Sequence, residues 1–177
     1  MGIDLKNWMQ NLPDGSDLLA LNLCGTHDCV TQHIRLPHFF CCQDLTIYEQ
    51  LLLGVRALDI RVRADGKCLT MVHGIFPAYN HSCHRANLMD MGDVLSQCYR
   101  FLDECPGEAV VFQFKNDNGK ENEQCFDNLF YTYIKGKEPY WYLEDQVPTL
   151  GAARGKLVLI RRCKICLLYT SDAADEL

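Results

Sequence analysis

An α/β fold with parallel strands is predicted from two features of the chain: continuous runs of Val, Ile and Leu, and helix-spaced apolar residues between them. Five such runs occur, at residues 18–24, 55–62, 68–72, 109–114 and 157–160. A strand with one wet face alternates apolar and polar residues, so continuous runs imply strands covered on both faces, as in parallel sheets. Residues 44–53 carry apolar side chains at 45, 47, 48, 51 and 52, and residues 91–102 carry them at 91, 94, 95, 98, 99, 101 and 102. Residues 122–134 repeat the spacing at 125, 126, 129, 130, 133 and 134. Each set lines one side of a helix, and strands alternating with helices imply a helix-covered parallel sheet. Pro106-Gly107 and Gly151 are expected to stop helical segments. The link Ala64-Asp65-Gly66-Lys67 is too short for a crossover helix and marks an irregularity.

Composition narrows the function. With 177 residues, 48% hydrophobic and 23% charged, the chain suits one well-cored domain, and no second domain is visible. A net charge of −6 excludes a nucleic-acid-coating role, which needs a positive footprint. No apolar run approaches the roughly 18–20 residues of a bilayer span. The start, Met1-Gly2-Ile3-Asp4-Leu5-Lys6, shows neither an export leader nor a myristoylation signal. Eleven cysteines without a leader are expected as buried small side chains in a reducing compartment, so location leans towards the cytosol. His81-Ser82-Cys83-His84 is a weak metal-like cluster, expected to be an ordinary loop, since zinc sites draw four well-spaced ligands. From Cys166 onward the chain changes character, reading Cys-Leu-Leu-Tyr-Thr-Ser-Asp-Ala-Ala-Asp-Glu-Leu. Residues 166–177 are expected to be a non-native, adapter-derived tail, leaving residues 1–165 as a truncated catalytic domain.

Chemistry is concentrated where the apolar runs end. The first runs into Gly25-Thr26-His27-Asp28, the second into Asp59-Ile60-Arg61, the third into His73-Gly74, the fourth into Lys115-Asn116 and the fifth into Arg161-Arg162. Carboxyl ends of parallel strands are where such folds bind ligands. Taken singly, His27 or His73 is more often a structural histidine, and Asp59 with Arg61 an ordinary ion pair. Taken together, one imidazole can accept a proton while the other donates one, and an arginine fork matches phosphate oxygens. That set suits cleavage of a phosphodiester.

Asn7-Trp8-Met9, Leu12-Pro13-Asp14, Gly25-Thr26-His27-Asp28, Cys42-Gln43, Gln50-Leu51, Gly54-Val55-Arg56, Leu58-Asp59-Ile60-Arg61 and His73-Gly74 form an ordered series. Phe101-Leu102, Pro106 with Glu108, Lys115 and Arg154-Gly155-Lys156 continue it. Over residues 5–162 the series resembles the catalytic X domain of bacterial-type phosphatidylinositol-specific phospholipases C. The resemblance implies the amino-terminal part, about five strands, of an irregular TIM barrel. It also implies attack of the inositol 2-hydroxyl on phosphorus, giving diacylglycerol and inositol 1,2-cyclic phosphate. By the same resemblance His27 matches the general base, Asp28 its carboxylate helper and His73 the general acid. Arg61 matches the phosphate contact and Asp59 the partner that holds it. Lys115 matches a contact to inositol or phosphate, and Arg162, in preference to Arg161, the arginine that binds inositol. Cys29 stands where the family usually has Ser.

No cofactor is expected. Arg61 occupies the position where the related eukaryotic enzymes hold calcium with a carboxylate, so calcium is not expected here. The implied partners are phosphatidylinositol or its glycosylated form, reached at a peripheral membrane surface through rim residues such as Ile75-Phe76, with the protein a monomer. Such a barrel needs roughly 250–300 residues, so the 177-residue chain is itself expected to be inactive. Two rival readings are a non-catalytic binder of inositol phosphates or lipid head groups, and a metal-dependent phosphodiesterase of glycerophosphodiesters or sphingolipids. The retained histidine pair argues against the first, and a shortage of carboxylates near His27 against the second.

Overall fold

A computed structural model of the chain describes residue 2, residues 4–117 and residues 123–163. The expected foreign tail lies outside the described residues. Among those residues no helix is long and apolar enough to cross a membrane.

In chain order the elements are β1 (Gly25–Thr26), α1 (Pro37–Phe40), α2 (Ile47–Leu52), β2 (Ala57–Asp65), β3 (Cys68–His73), β4 (Phe76–Pro77), α3 (Met91–Glu104), β5 (Val110–Asn116), α4 (Glu123–Ile134), β6 (Trp141–Tyr142), α5 (Leu150–Ala153) and β7 (Leu157–Arg161). The strands form one mixed sheet in the order β4-β3-β2-β5-β7-β6, with β1 joined to β2. Strands β1, β2, β5, β7 and β6 pair in parallel, whereas β3 and β4 are antiparallel additions.

The helices begin where chemistry dictates. Thr46 and Asp90 each cap the following helix, and Glu49 and Asp93 return the bond in reciprocal capping boxes. In α3 the residues Met91, Val94, Leu95, Cys98, Phe101 and Leu102 are buried, which is the stripe anticipated from their spacing. Phe126, Phe130 and Ile134 of α4 pack beside them. Both helices cover Leu58, Ile60 and Val62 of β2 and Phe112 and Phe114 of β5, none of which is exposed. The opposite face of the sheet divides in two. Near the amino ends of the strands it is closed by Met9, Leu18, Tyr142, Leu150 and Val158. Near their carboxyl ends it carries polar residues.

Several expectations need correction. The run at residues 18–24 is no strand: Leu18–Ala20 forms a 3₁₀ turn, and pairing starts only at Gly25. The third run is antiparallel to the second, because four residues suffice for a hairpin but not for a crossover. Gly151 stops nothing; it lies inside α5, where a Cβ would come 2.8 Å from that of Asp14. Of the nine cysteines described, Cys29, Cys98 and Cys105 are buried, while Cys24 and Cys83 are exposed.

Candidate active site

Three pairings along β2 make the site. Strand β1 runs beside Ala57 and Leu58, then leaves after Thr26. On the same edge β3 joins only at Val62, pairing it with Met71. The interval between them is filled by the turn that follows β1, with the Cys29 amide donating to the Asp59 carbonyl at 3.4 Å. That turn contains Asp28, whose φ of 43° is rare for a side chain larger than Gly. It is braced by Gln50, which accepts from Thr26 Oγ1 at 2.7 Å and donates to the Cys29 carbonyl at 2.7 Å. Gln43 donates to the carbonyl of His27 at 3.1 Å.

Strand alternation supplies the rest. Leu58, Ile60 and Val62 face the helices, so Asp59 and Arg61 must face the other way. On the neighbouring strand Gln113 pairs with Asp59 and Lys115 with Arg61 in register. Because β2 runs past the site before turning, β3 returns antiparallel and brings His73 level with the same residues.

These side chains converge on one buried carboxylate. Asp28 Oδ2 lies 3.1 Å from His27 Nε2 and 3.4 Å from His73 Nε2, and Oδ1 lies 3.0 Å from Arg61 Nε. The two imidazole rings stand 6.4 Å apart, edge to face. Arg61 donates to Asp59 Oδ2 at 3.1 and 3.2 Å, and the same oxygen lies 2.9 Å from His27 Nδ1. Lys115 bonds Asp117, whose other oxygen accepts from the Gly74 amide at 2.9 Å. His73 Nδ1 is 3.0 Å from the Phe40 carbonyl, which can only accept, so Nδ1 carries the proton and Nε2 faces Asp28.

The carboxylates differ electrostatically. Burial raises the pKa of Asp28, and the opposing charges of Arg61, His73 and His27 do not cancel it. Burial acts on Asp59 as well, but hydrogen bonds from Arg61 and the Asp28 amide outweigh it and hold the carboxyl below its usual range. Asp117 is lowered in the same way, burial being outweighed by Lys115 and the Gly74 amide.

All eight residues singled out from the sequence are described, and seven gather here. Arg162 joins His27, Asp59 and Arg61 in lining one cleft of about 340 Å³. Arg161 does not, because the next position along a strand points to the other face; it pairs with Asp145 instead. Asp28 is more than a helper of His27, since it touches both imidazoles and the guanidinium. Sequence reading missed Asp117 and Gln113, and it named Cys42 in the ordered series without giving it a role. Asp117 follows Lys115 by two residues, a local signal that was present. Nothing local could reveal Cys42, whose place depends on the loop preceding α2. His81, Cys83 and His84 form no metal-holding group among the described residues.

Comparison with known proteins agrees with this architecture. No family model matches the chain. A 1-phosphatidylinositol phosphodiesterase of Staphylococcus aureus (strain Newman) is 28% identical over 179 residues, covering 96% of this chain and 55% of the relative. One from Listeria monocytogenes is 27% identical, covering 89% of this chain and 49% of the relative. The solved structure of the Listeria phosphatidylinositol-specific phospholipase C superposes with a TM-score of 0.74 at 26% identity, over 90% of this chain and 57% of that one. The chain thus spans about half the length of the relatives it matches. Its sheet is the fold of the corresponding part of these TIM-barrel phospholipases.

Proposed function

We propose that this chain carries the phosphate-cleaving centre of a phosphodiesterase acting on phosphatidylinositol. The observation that supports it most is the meeting of His27, His73 and Arg61 around Asp28. His27 takes the proton of the inositol 2-hydroxyl while its oxygen forms a bond to phosphorus. The bond from phosphorus to the glycerol oxygen breaks, and the proton held between His73 Nε2 and Asp28 passes to that oxygen. Diacylglycerol leaves and inositol 1,2-cyclic phosphate remains. Arg61 stabilises charge growing on the phosphoryl oxygens, so no metal is required for the step. Lys115 and Arg162 face the head group. Asp59 orients both His27 and Arg61.

The lipid is met at a membrane surface. Phe39 and Ile75, 79% and 76% exposed, are within two residues of Phe40 and His73, whose rings meet with centres 5.5 Å apart. Phe76, expected on that rim, instead packs against Phe40 with ring centres 4.3 Å apart and the planes tilted by 36°. Phe39→Ser and Ile75→Ser are expected to reduce sedimentation with phosphatidylinositol vesicles, and Phe76→Ser to act mainly through packing.

The test is an assay with labelled phosphatidylinositol, run on the 177-residue chain and on the longest product of its gene. Appearance of the cyclic phosphate, and its loss in His27→Ala and His73→Ala, is the expected result. A longer product that binds the lipid yet never releases cyclic phosphate would overturn the reading.

A further inference from the structure

We propose that His27, Asp28 and Cys42 form a binding site for zinc or a similarly thiophilic divalent cation, whose occupancy switches the catalytic centre off. Each offers one ligand atom, and these atoms all lie within 4.8 Å of one another. A nitrogen, an oxygen and a sulfur with a fourth position open is a donor set suited to zinc rather than calcium or magnesium. Neither oxygen of Asp28 accepts a hydrogen bond of adequate geometry although both are buried, so lone pairs are available at the centre of the group. Charge does not oppose a cation. Asp28, Asp59 and Asp117 balance Arg61, Lys115 and Arg162 in number, and the Cys42 thiolate formed on binding adds one negative charge.

The supporting contacts resemble those of a metal site. Thr31 Oγ1 donates to the Asp28 carbonyl at 2.9 Å and accepts from the Cys42 amide at 2.8 Å, tying the two ligand-bearing segments together. His27 Nδ1 lies 2.9 Å from Asp59 Oδ2, the carboxylate–histidine arrangement that leaves Nε2 for a metal. Bonds of about 2.0–2.3 Å to the metal require ligands closer together than these, by about 1 Å. The His27 side chain, 62% exposed, has room to make that movement. On binding, the Cys42 thiol gives its proton to solvent, and the sulfur, the imidazole Nε2 and a carboxylate oxygen take the metal. His27 then has no lone pair with which to accept a proton. This inhibition rests on the function proposed above; the binding site does not.

The experiment titrates the reduced, metal-free 177-residue chain with cobalt(II), followed by competition with zinc. A near-ultraviolet thiolate-to-cobalt band and one-to-one binding are expected. Cys42→Ser and Asp28→Asn should each weaken binding at least tenfold, with the band lost in the former, while Cys41→Ser and Cys83→Ser retain both. An unchanged band in Cys42→Ser, or absence of one-to-one binding in the parent chain, would overturn the site. In a cleaving product of the gene, zinc should inhibit the parent and spare Cys42→Ser relative to its own zinc-free rate. Binding through Cys42 in a protein that cleaves nothing would sink the proposed function and leave the site standing.

Discussion

Two arginines five positions apart on one segment of chain do opposite work. Arg56, just before β2, is wholly buried and so is its partner Glu108. Its Nε and Nη2 bond Glu108 at 2.9 and 2.7 Å, and Nη1 bonds the carbonyls of Leu51 and Val55 at 2.8 and 2.7 Å. Nη2 also reaches the carbonyl of Lys6 at 2.8 Å, and the Phe101 ring lies 4.7 Å from the guanidinium carbon. Glu108 in turn accepts from the amides of Met9 and Gln10. Arg61 bonds Asp59 and pairs with Asp28, but its Nη1 is 3.9 Å from Asp117, beyond hydrogen-bond range, and the group borders an open cleft. A saturated guanidinium is a structural clamp, whereas one with a donor to spare can grip a ligand.

The sharpest way to break this contrast is Arg56→Met. It strands Glu108 as an uncompensated buried charge and frees the amino-terminal segment, so a loss of about 3–5 kcal/mol is expected in denaturant unfolding. Next comes Arg61→Lys, which keeps the charge but loses the planar fork. In a cleaving product of the gene the rate should fall about 10²-fold or more, with the unfolding midpoint nearly unchanged. Equal loss of stability at both positions would erase the distinction.

Asp28→Asn is expected to abolish cleavage while leaving the unfolding midpoint at neutral pH equal to or above that of the parent. Burial makes its ionised form costly in the folded chain, so that cost grows as the pH climbs above the ordinary carboxyl value of about 3.9. Asp59 and Asp117 carry the reverse sign. Their folded values are depressed, so the unfolded chain takes up their protons first as the pH falls. Stability from these two is full above about pH 4 and is lost below it as the pH drops through the folded values. Asp59→Asn and Asp117→Asn should each flatten the acid limb of a pH–stability curve. The smallest expected effect is that of a chelator, which should not lower the cleavage rate of the protein as purified; a fall would implicate a required metal and overturn the role given to Arg61.

Much of this was legible along the chain. The stripes of α3 and α4 follow from side-chain periodicity and the strands β2, β5 and β7 from continuous apolar runs, both of them local properties. The histidines, Arg61 and Lys115 stood out because ionisable groups ended apolar runs. The 18–24 run misled because its apolar residues, such as Leu18, plug one end of the sheet's inner face rather than pair within it. Strands β4 and β6 are two residues long and exist only through their neighbours.

Residue order therefore determined which groups could do acid–base and phosphate chemistry, and roughly where on a strand each would sit. Only the folded chain decided which of them meet. Asp28 became the hub because β1 leaves the edge of β2 before β3 arrives, and the gap lets a strained turn drop between two histidines. Arg162 entered the cleft and Arg161 left it by the two-residue alternation of a strand whose register is set by pairing with β5. Cys42 is tied to Asp28 through Thr31, a contact between segments that no local pattern encodes. Burial, saturation and register are properties of neighbours in space, and so they were settled by tertiary structure.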